Sequence, residues 1–402
     1  MKKTKKTELL APAGNMNKLI TAAYFGADAV YAAARRFGLR AYADNFTTEE
    51  LKSAAEYLHS FGKKLYVTVN IYADDRDISD MPAFARELAA TNVDGVLVSD
   101  LGVFSVFREN APSLDLHVST QANVTNSEAA KMWAGLGAKR IVLARETRLD
   151  DIRRIREALP ENVEIEAFVH GAMCIAYSGR CLLSAYFTDR SGNKGECVQS
   201  CRWEYGLTEL SRNDTLRAEE DARGTYLLSS KDLRMIEHIG ELIDAGVDSL
   251  KIEGRVKSEY YVAGVTNAYR RALDAYESGR PYPAYLTEET EKISHRGYTT
   301  GFYFGEKGGS TGEPKPTATY DFIAVAEDWN NGVATVEMRN RFSVGDELEI
   351  LSPTDSFGKT FTVTAITDEN GRRCDCADRV QAKYALPVDV PVSKYDILRK
   401  KR

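Results

Sequence analysis

The stretch Asn92-Val93-Asp94-Gly95-Val96-Leu97-Val98 decides the fold class, because it joins the end of a helix to a short apolar strand. The same pattern, a tight turn followed by an apolar run, recurs at residues 25–31, 136–142 and 245–252. The ends of helices favour glycine because glycine adopts the left-handed conformation without strain. The apolar run after each turn is typical of a strand buried on both faces, as in a parallel sheet.

Further strands are predicted at residues 8–12, 64–70, 116–120 and 164–169. Helices between them show the apolar 3.6-residue period, for example at Leu51, Ala54, Ala55 and Leu58. This alternation predicts an α/β fold, a (β/α)8 TIM-like barrel. A doubly wound open sheet is the alternative, but residues 11–15 after the first strand lack a glycine-rich phosphate-binding motif.

The pattern changes near residue 280. Residues 1–280 are predicted to form the barrel, residues 281–319 a connecting region, and residues 320–402 a small all-β barrel. The last region shows short alternating strands at 322–326, 333–336, 347–351 and 361–366, with hairpin turns at 330–332 and 369–371.

Composition narrows the class of protein. A net charge of −6 and a pI of about 5.6 argue against a surface that coats nucleic acid indiscriminately. No run approaches the ~18 apolar residues that a membrane span needs, and no apolar signal core follows the basic residues 2–6. We therefore expect a cytoplasmic protein without membrane contact, in which clustered cysteines indicate a metal or redox site rather than disulfides.

Four of the six cysteines lie within 28 residues, directly after the predicted seventh strand, in an insertion at about 170–225. These residues, Cys174, Cys181, Cys197 and Cys201, are the predicted metal ligands. Their spacing leaves zinc, an iron–sulfur cluster and unliganded thiols open, since only Cys197 and Cys201 are as close as zinc pairs usually are. Cys374 and Cys376 lie in the β-domain and are not predicted to be ligands.

Polar residues follow several predicted strands, where a barrel of this kind has its active site. They are Asn70, Asp100, Gln121, Arg145, Glu146, His170, Glu253 and Arg255. Singly, each is explained by a loop that faces water. Together they suit an anionic ligand, with Arg145 and Arg255 as partners for its carboxylate or phosphate groups.

Residues 166–184 resemble the signature of the collagenase-like U32 peptidase family, Glu-x-Phe-x2-Gly-small-apolar-Cys-x4-Gly-x-Cys-x-apolar-Ser, at every specified position. The likeness extends over nearly the whole chain, including residues 8–15, 119–121, 143–146, 249–255 and 298–303. The chain most resembles the family members that hydroxylate the tRNA wobble uridine to 5-hydroxyuridine, using prephenate and no molecular oxygen.

The resemblance implies an iron–sulfur cluster, of the 4Fe-4S type, on Cys174, Cys181, Cys197 and Cys201, with tRNA and an electron donor as partners and a related family subunit as a further one. Substrate-binding candidates are Arg145, Arg180, Lys251 and Arg255, because a dicarboxylate such as prephenate needs basic partners. Gln121 and Glu253, from the polar barrel mouth, are further candidates. No catalytic residue is assigned; the candidates are His170, Glu166 and Arg145.

Two other functions stay open. A collagenase-like peptidase would use a cysteine nucleophile with His170 as base, since neither a His-Glu-x-x-His nor a Gly-x-Ser-x-Gly motif occurs. A non-catalytic iron–sulfur adaptor would need a partner enzyme for activity.

Overall fold

The computed structural model describes residues 6–39, 45–203, 220–221, 224–225, 230–305 and 316–402. The chain forms two compact units. The first comprises residues 1–19, 27–256 and 295–316, and the second residues 20–26, 257–294 and 317–402. Within the described residues, no helix is both long and apolar enough to cross a membrane.

Eight parallel strands form the predicted barrel. Seven come first in the chain: β1 Glu8–Pro12, β2 Ala29–Ala33, β3 Lys64–Val69, β4 Gly95–Val98, β5 Asp115–Val118, β6 Arg140–Val142 and β7 Glu164–Ala172. Three short strands follow, β8 Glu220–Asp221, β9 Gly224–Thr225 and β10 Asp232–Arg234, before the eighth barrel strand, β11 Ser249–Ile252. β11 pairs in parallel with both β1 and β7, which closes the barrel.

Helices alternate with these strands along the chain and confirm the (β/α)8 pattern. They are α1 Met16–Tyr24, α2 Thr48–His59, α3 Asp75–Ala89, α4 Leu101–Asn110, α5 Ser127–Gly135, α6 Leu149–Ala158, α7 Leu183–Thr188, α8 Ile239–Asp244, α9 Glu259–Glu277 and α10 Tyr285–Glu291. Short 3-10 helices occupy Thr120–Ala122, Gly192–Lys194, Ser200–Arg202 and Ile236–His238. The apolar face predicted for α2 is buried in the structure.

The turn pattern that identified the barrel is confirmed in three of its four copies. Gly26, Gly137 and Gly246 all have a positive φ of 103–105° at the ends of their helices. In the fourth copy the prediction was wrong. Asn92, with φ 60°, takes the left-handed position there, and Gly95 is the first residue of β4. Asparagine tolerates this conformation better than other side chains do.

Strand β7 is longer than predicted and connects the barrel to the cysteine-bearing insertion. Its last residues pair antiparallel with β10, with Ala172 opposite Asp232. β10 in turn pairs with β12 (Tyr298–Thr299). The sheet therefore continues past the barrel where the chain enters the insertion.

The second unit contains the predicted small all-β domain, an antiparallel sheet curled around one apolar core. The strands of this sheet are β13 Tyr320–Asn330, β14 Val333–Met338, β16 Glu347–Leu351, β17 Thr360–Thr362, β18 Ile366–Asp368, β19 Arg373–Cys374, β21 Lys383–Pro387 and β22 Ile397–Lys401. Two further strands, β15 Phe342–Ser343 and β20 Cys376–Ala377, pair with each other in a separate two-stranded sheet. A two-residue turn joins β13 to β14, as predicted, with Asn331 and Gly332 both at positive φ.

The single strand predicted at 361–366 was wrong. β17 pairs with β16, whereas β18 pairs with β21 and β19. Between them Val363 exchanges backbone hydrogen bonds with Gly345 and Asp346, which directs the chain from one neighbour to another. Apolar alternation alone does not register such a change of partner.

A buried ion network lies inside the second unit and joins residues of the 257–294 segment to the sheet. The Arg399 side chain has no exposed surface and donates to Glu289 (2.7 Å) and to Glu349. Lys292 contacts the same two carboxylates at 2.6 and 2.9 Å. Burial raises the pKa of Glu349, but Arg399 and Lys292 outweigh it, so the pKa is lowered. This network explains why residues 257–294 belong to the same unit as the sheet.

Candidate functional site

The barrel interior is charged at the N-terminal end of its strands. Arg140, the first residue of β6, is 2% exposed and donates to Glu8 (2.6 Å), Glu164 (2.8 Å) and Glu166 (3.0 Å). The guanidinium also lies 4.9 Å from the ring centroid of Tyr66, whose hydroxyl donates to Glu8. Burial lowers the pKa of Arg140, but the surrounding acidic groups raise it well above its ordinary value. Arg140 is therefore a fixed cation at the base of the barrel.

One layer further up, Glu166 and Lys251 form a buried pair at 2.6 Å. The Lys251 ammonium lies 4.4 Å from the ring centroid of Tyr31, and burial lowers its pKa despite Glu166. His117 is 2% exposed and packs against Tyr66. Burial, followed by Arg140 and Lys251, holds the pKa of His117 well below its usual range. Glu166, a predicted catalytic candidate, and Lys251, a predicted substrate ligand, thus pair with each other.

The C-terminal mouth of the barrel carries a second, more open ion pair. Arg145, which follows β6, donates to Glu253 at 3.3 Å, and these side chains are 15% and 12% exposed. The guanidinium lies 4.2 Å from the ring centroid of Phe168. Burial raises the pKa of the Cys174 thiol, and the charge of Arg145 opposes that effect. Arg145 is therefore coupled electrostatically to the cysteine-bearing insertion.

The cysteine-bearing insertion is anchored to the mouth through main-chain contacts. The backbone N–H of Ser178 donates to Glu146 at 2.9 Å. Gly179, with φ 71°, packs so closely on the carbonyl of Gln121 that a Cβ would overlap it. The same carbonyl accepts a hydrogen bond from the Tyr72 hydroxyl at 2.8 Å. Only glycine fits this contact, which explains Gly179 in physical terms.

Two further contacts hold the next part of the insertion. The backbone N–H of Tyr72 donates to the carbonyl of Asn193, whose side chain donates to the carbonyl of Cys181 at 3.0 Å. Lys194 pairs with Asp74 (2.7 Å) and Asp77 (3.3 Å). The positions of the cysteines are thus tied to the loops after β3 and β5.

The four cysteines of the insertion lie near one another. Burial raises the pKa of Cys174 and that of Cys201, the latter to about 11, and charges on the neighbouring cysteines contribute to both increases. The Ser184 hydroxyl lies 3.7 Å from the Cys197 Sγ. All four are free thiols. No three His, Cys, Asp or Glu side chains of the described ranges are arranged to hold a single metal ion.

The remaining predicted substrate-binding and catalytic residues have different surroundings. Arg255 is buried and donates to the carbonyl of Leu39 and to the Thr68 hydroxyl. His170 is buried, with its ring 5.5 Å from that of Tyr298. Gln121 supplies its carbonyl to the insertion contact, and Arg180 is exposed on the insertion itself.

Part of the polar ring predicted at the mouth has a structural role. Asp100 caps α4 by accepting from the N–H of Val103. The Asn70 amide donates to Ser119 at 3.2 Å. For both residues a structural contact, not a ligand, accounts for a polar side chain at the end of a strand.

Two features of this region escaped the sequence reasoning. Arg140 and Glu8 begin buried strands, and a charge in that position was the available signal. Tyr72 and Asn193 lie in different loops, and nothing in the sequence pairs them.

The fold and the site together define a (β/α)8-barrel protein with a four-cysteine insertion docked at the barrel mouth. The sequence profile of peptidase family U32 matches residues 14–313, and that of the U32 C-terminal domain matches residues 318–399. The chain belongs to this family.

Three relatives of this chain carry names that describe different activities. The chain is 41% identical to tRNA hydroxylation protein P1 of Bacillus subtilis, over 99% of this chain and 95% of the relative. It is 36% identical to the 23S rRNA 5-hydroxycytidine C2501 synthase of Escherichia coli, over 91% of this chain and 56% of the relative. It is 34% identical to a protein of Porphyromonas gingivalis named collagenase, over 86% and 87%.

Proposed function

We propose that this protein is an RNA-hydroxylating enzyme that converts the tRNA wobble uridine to 5-hydroxyuridine with the help of an iron–sulfur cluster. The observation that carries the proposal is the four-cysteine insertion docked on a polar barrel mouth. The tRNA hydroxylation protein of B. subtilis supports tRNA as the substrate, because it aligns with this chain over nearly the full length of both. The reaction is placed in the cytoplasm, where tRNA is modified.

The donor set favours a cluster over a lone zinc ion. Iron–sulfur clusters are held by four thiolates and are larger than a single ion, whereas zinc needs its ligands in one tight tetrahedron. Charges on neighbouring cysteines raise the pKa of Cys174 and of Cys201, and only Cys197 and Cys201 have the close spacing of a zinc-binding pair. When bound, the cluster would supply one-electron transfer, and its irons would deprotonate the thiols.

The barrel mouth offers partners for an anionic co-substrate, for which we propose prephenate. Arg145 is the best placed guanidinium, since it pairs with Glu253 at the mouth and its charge acts on the Cys174 thiol. Arg180 projects from the insertion and is exposed. Lys251 and Arg255 are buried in other contacts, so their effect on the site would be through position rather than direct binding.

The reaction sets two chemical requirements. Replacing the C5 hydrogen of uridine by a hydroxyl group removes two electrons from the base and needs a source of oxygen. In the proposed function the hydroxyl group comes not from O2 but from prephenate, which it leaves as hydroxide while prephenate aromatises with loss of CO2. The two electrons from the base pass to a redox partner that accepts them, and the C5 hydrogen leaves as a proton. The protein residues would hold the co-substrate, exclude water and orient the base.

The test is the nucleoside content of tRNA from a strain that lacks this gene. Complementation with the wild-type gene is expected to restore 5-hydroxyuridine or its derivatives, including during anaerobic growth. Cys174→Ala is expected to abolish this, whereas Cys374→Ala, a matched change in the β-domain, is expected to have no effect. A deletion strain whose tRNA keeps the wild-type level of wobble uridine hydroxylation would refute the proposal.

The collagenase name of the P. gingivalis relative makes a peptidase the second candidate. Its specific requirement is a free, activated cysteine. Cleavage of collagen fragments by the purified protein, lost in Cys174→Ala and unaffected by iron removal, would replace the first proposal by this one. Activity that appears only with a second protein would instead favour an adaptor.

A further inference from the structure

The cysteine insertion exposes an unusual amount of apolar surface. Six of the fifteen exposed large hydrophobic side chains in the described ranges lie between residues 175 and 203. They are Ile175, Tyr177, Leu182, Tyr186, Phe187 and Trp203. Tyr186 is 82% exposed and Tyr177 is 62% exposed. Exposed side chains scattered singly need no explanation, but a concentration of this kind marks a binding surface.

Aromatic rings dominate this surface, which we call the aromatic platform (Tyr177, Tyr186, Phe187 and Trp203). The Tyr186 and Phe187 ring centroids are 5.1 Å apart, and those of Phe187 and Trp203 are 6.2 Å apart. Three of the four therefore form a continuous array. The described ranges contain only three other large aromatics in the exposed class, Phe61, Tyr285 and Phe304, far apart in the sequence.

Charge around the platform favours an anionic partner. The same stretch of sequence contains three arginines, Arg180, Arg190 and Arg202, but only two carboxylates, Asp189 and Glu196. The whole chain, in contrast, has a net charge of −6. Guanidinium groups pair with phosphates and also stack on bases.

We propose that the aromatic platform binds the unstacked bases of a single-stranded RNA loop next to the cysteines. Proteins recognise RNA loops by stacking splayed bases on aromatic rings while basic groups contact the backbone. The inference rests on the proposed function, to which it adds the contact surface. Because Tyr177 and Trp203 lie within three residues of cysteines along the chain, a base held here is close to the predicted cluster.

The test is the affinity of the full-length, anaerobically purified protein for a synthetic anticodon stem–loop with uridine at the wobble position. Tyr186→Ala and Tyr186→Leu are both expected to weaken binding about tenfold, since one stacked base contributes about that factor. Tyr186→Phe keeps the ring and is expected to bind like the wild type. Phe61→Ala, which removes an exposed ring outside the insertion, is the matched control.

The salt dependence of binding and the comparison with duplex RNA give a second test. Arg180→Gln is expected to reduce the dependence of affinity on salt, as loss of one phosphate contact does. A fully paired RNA duplex of the same stem is expected to bind more weakly and to be insensitive to every Tyr186 variant. Iron content and circular dichroism like those of the wild type would show that each variant is folded.

Wild-type affinity in Tyr186→Ala and in Tyr186→Leu would overturn the proposal. So would a Tyr186→Leu variant that binds RNA normally while Tyr186→Ala changes the oligomeric state, because the surface would then be a protein interface. If the wild type hydroxylates uridine but Tyr186 is irrelevant, only the platform is wrong. If Tyr186 governs RNA binding but no hydroxylation occurs, only the proposed function is wrong.

Discussion

Replacing Gly179 by alanine tests whether the insertion is held by its contact with the barrel mouth. The backbone of Gly179 has φ 71°, and a Cβ would overlap the Gln121 carbonyl oxygen and lie 2.7 Å from the Tyr72 Oη. The change therefore introduces backbone strain and a collision with a second loop. Both effects act on the docked insertion and leave the barrel strands untouched.

The size of the effect follows from these two contributions. A left-handed conformation costs a non-glycine residue about 1–2 kcal/mol. Relief of the overlap requires a separation of about 1 Å, which would break the Tyr72–Gln121 hydrogen bond, worth about 1 kcal/mol. Docking of the insertion in Gly179→Ala should thus be weaker by about 2–3 kcal/mol.

Hydrogen exchange of peptides that cover residues 174–203 measures this loss directly, and iron content measures its effect on the predicted cluster. Gly192→Ala is the matched control, because its Cβ would lie 3.6 Å from the nearest atom, an ordinary contact with Cys197. We expect faster exchange and less iron in Gly179→Ala and neither in Gly192→Ala. Wild-type exchange and iron content in Gly179→Ala would refute the reasoning.

Three further predictions concern buried charges. Arg140→Met leaves three carboxylates without their shared cation and should lower the free energy of unfolding by about 3–5 kcal/mol, measured with denaturant; a loss below about 1 kcal/mol would contradict the network. His117 stays neutral in the fold, but it binds a proton in the unfolded chain below its ordinary pKa of 6.5. As pH drops below 6.5, the free energy of unfolding of the wild type should therefore fall more steeply than that of His117→Gln, by up to about 1.4 kcal/mol per pH unit. Parallel pH profiles of the two proteins would refute this. The lowered pKa of Glu349 stabilises the second unit at neutral pH, and this effect is lost as pH falls below the ordinary value of 4.5. Glu349→Gln should therefore be less stable than the wild type at pH 7 but not in acid. An equal loss of stability at both pH values would contradict the ion network with Arg399.

The barrel could be predicted because four of its eight strands follow the same short sequence pattern. A left-handed turn followed by a strand buried on both faces is specified by a few neighbouring residues, as at Gly137 and Ile141. Local patterns do not record which strands become neighbours. That is why the break between β17 and β18 was missed, since it depends on hydrogen bonds of Val363 to a turn far away along the chain.

The site was predictable where its residues are close in sequence. The four cysteines and Arg145 follow strands whose ends meet at one face of the barrel, and the charge of Arg145 acts on the pKa of Cys174. Pairings that depend on burial were not predictable. Lys251 seemed a ligand for an anion, but its place in the barrel interior pairs it with Glu166. Residue type alone does not tell an exposed cation from a buried one.

The account depends most directly on the metal content of the purified protein. We would record the visible spectrum and the iron, sulfide and zinc content of anaerobically prepared wild type and Cys174→Ala. The account predicts a brown wild-type protein with about four irons per chain, and loss of both colour and iron in the variant. A colourless wild-type protein that holds zinc, or no metal, would contradict it.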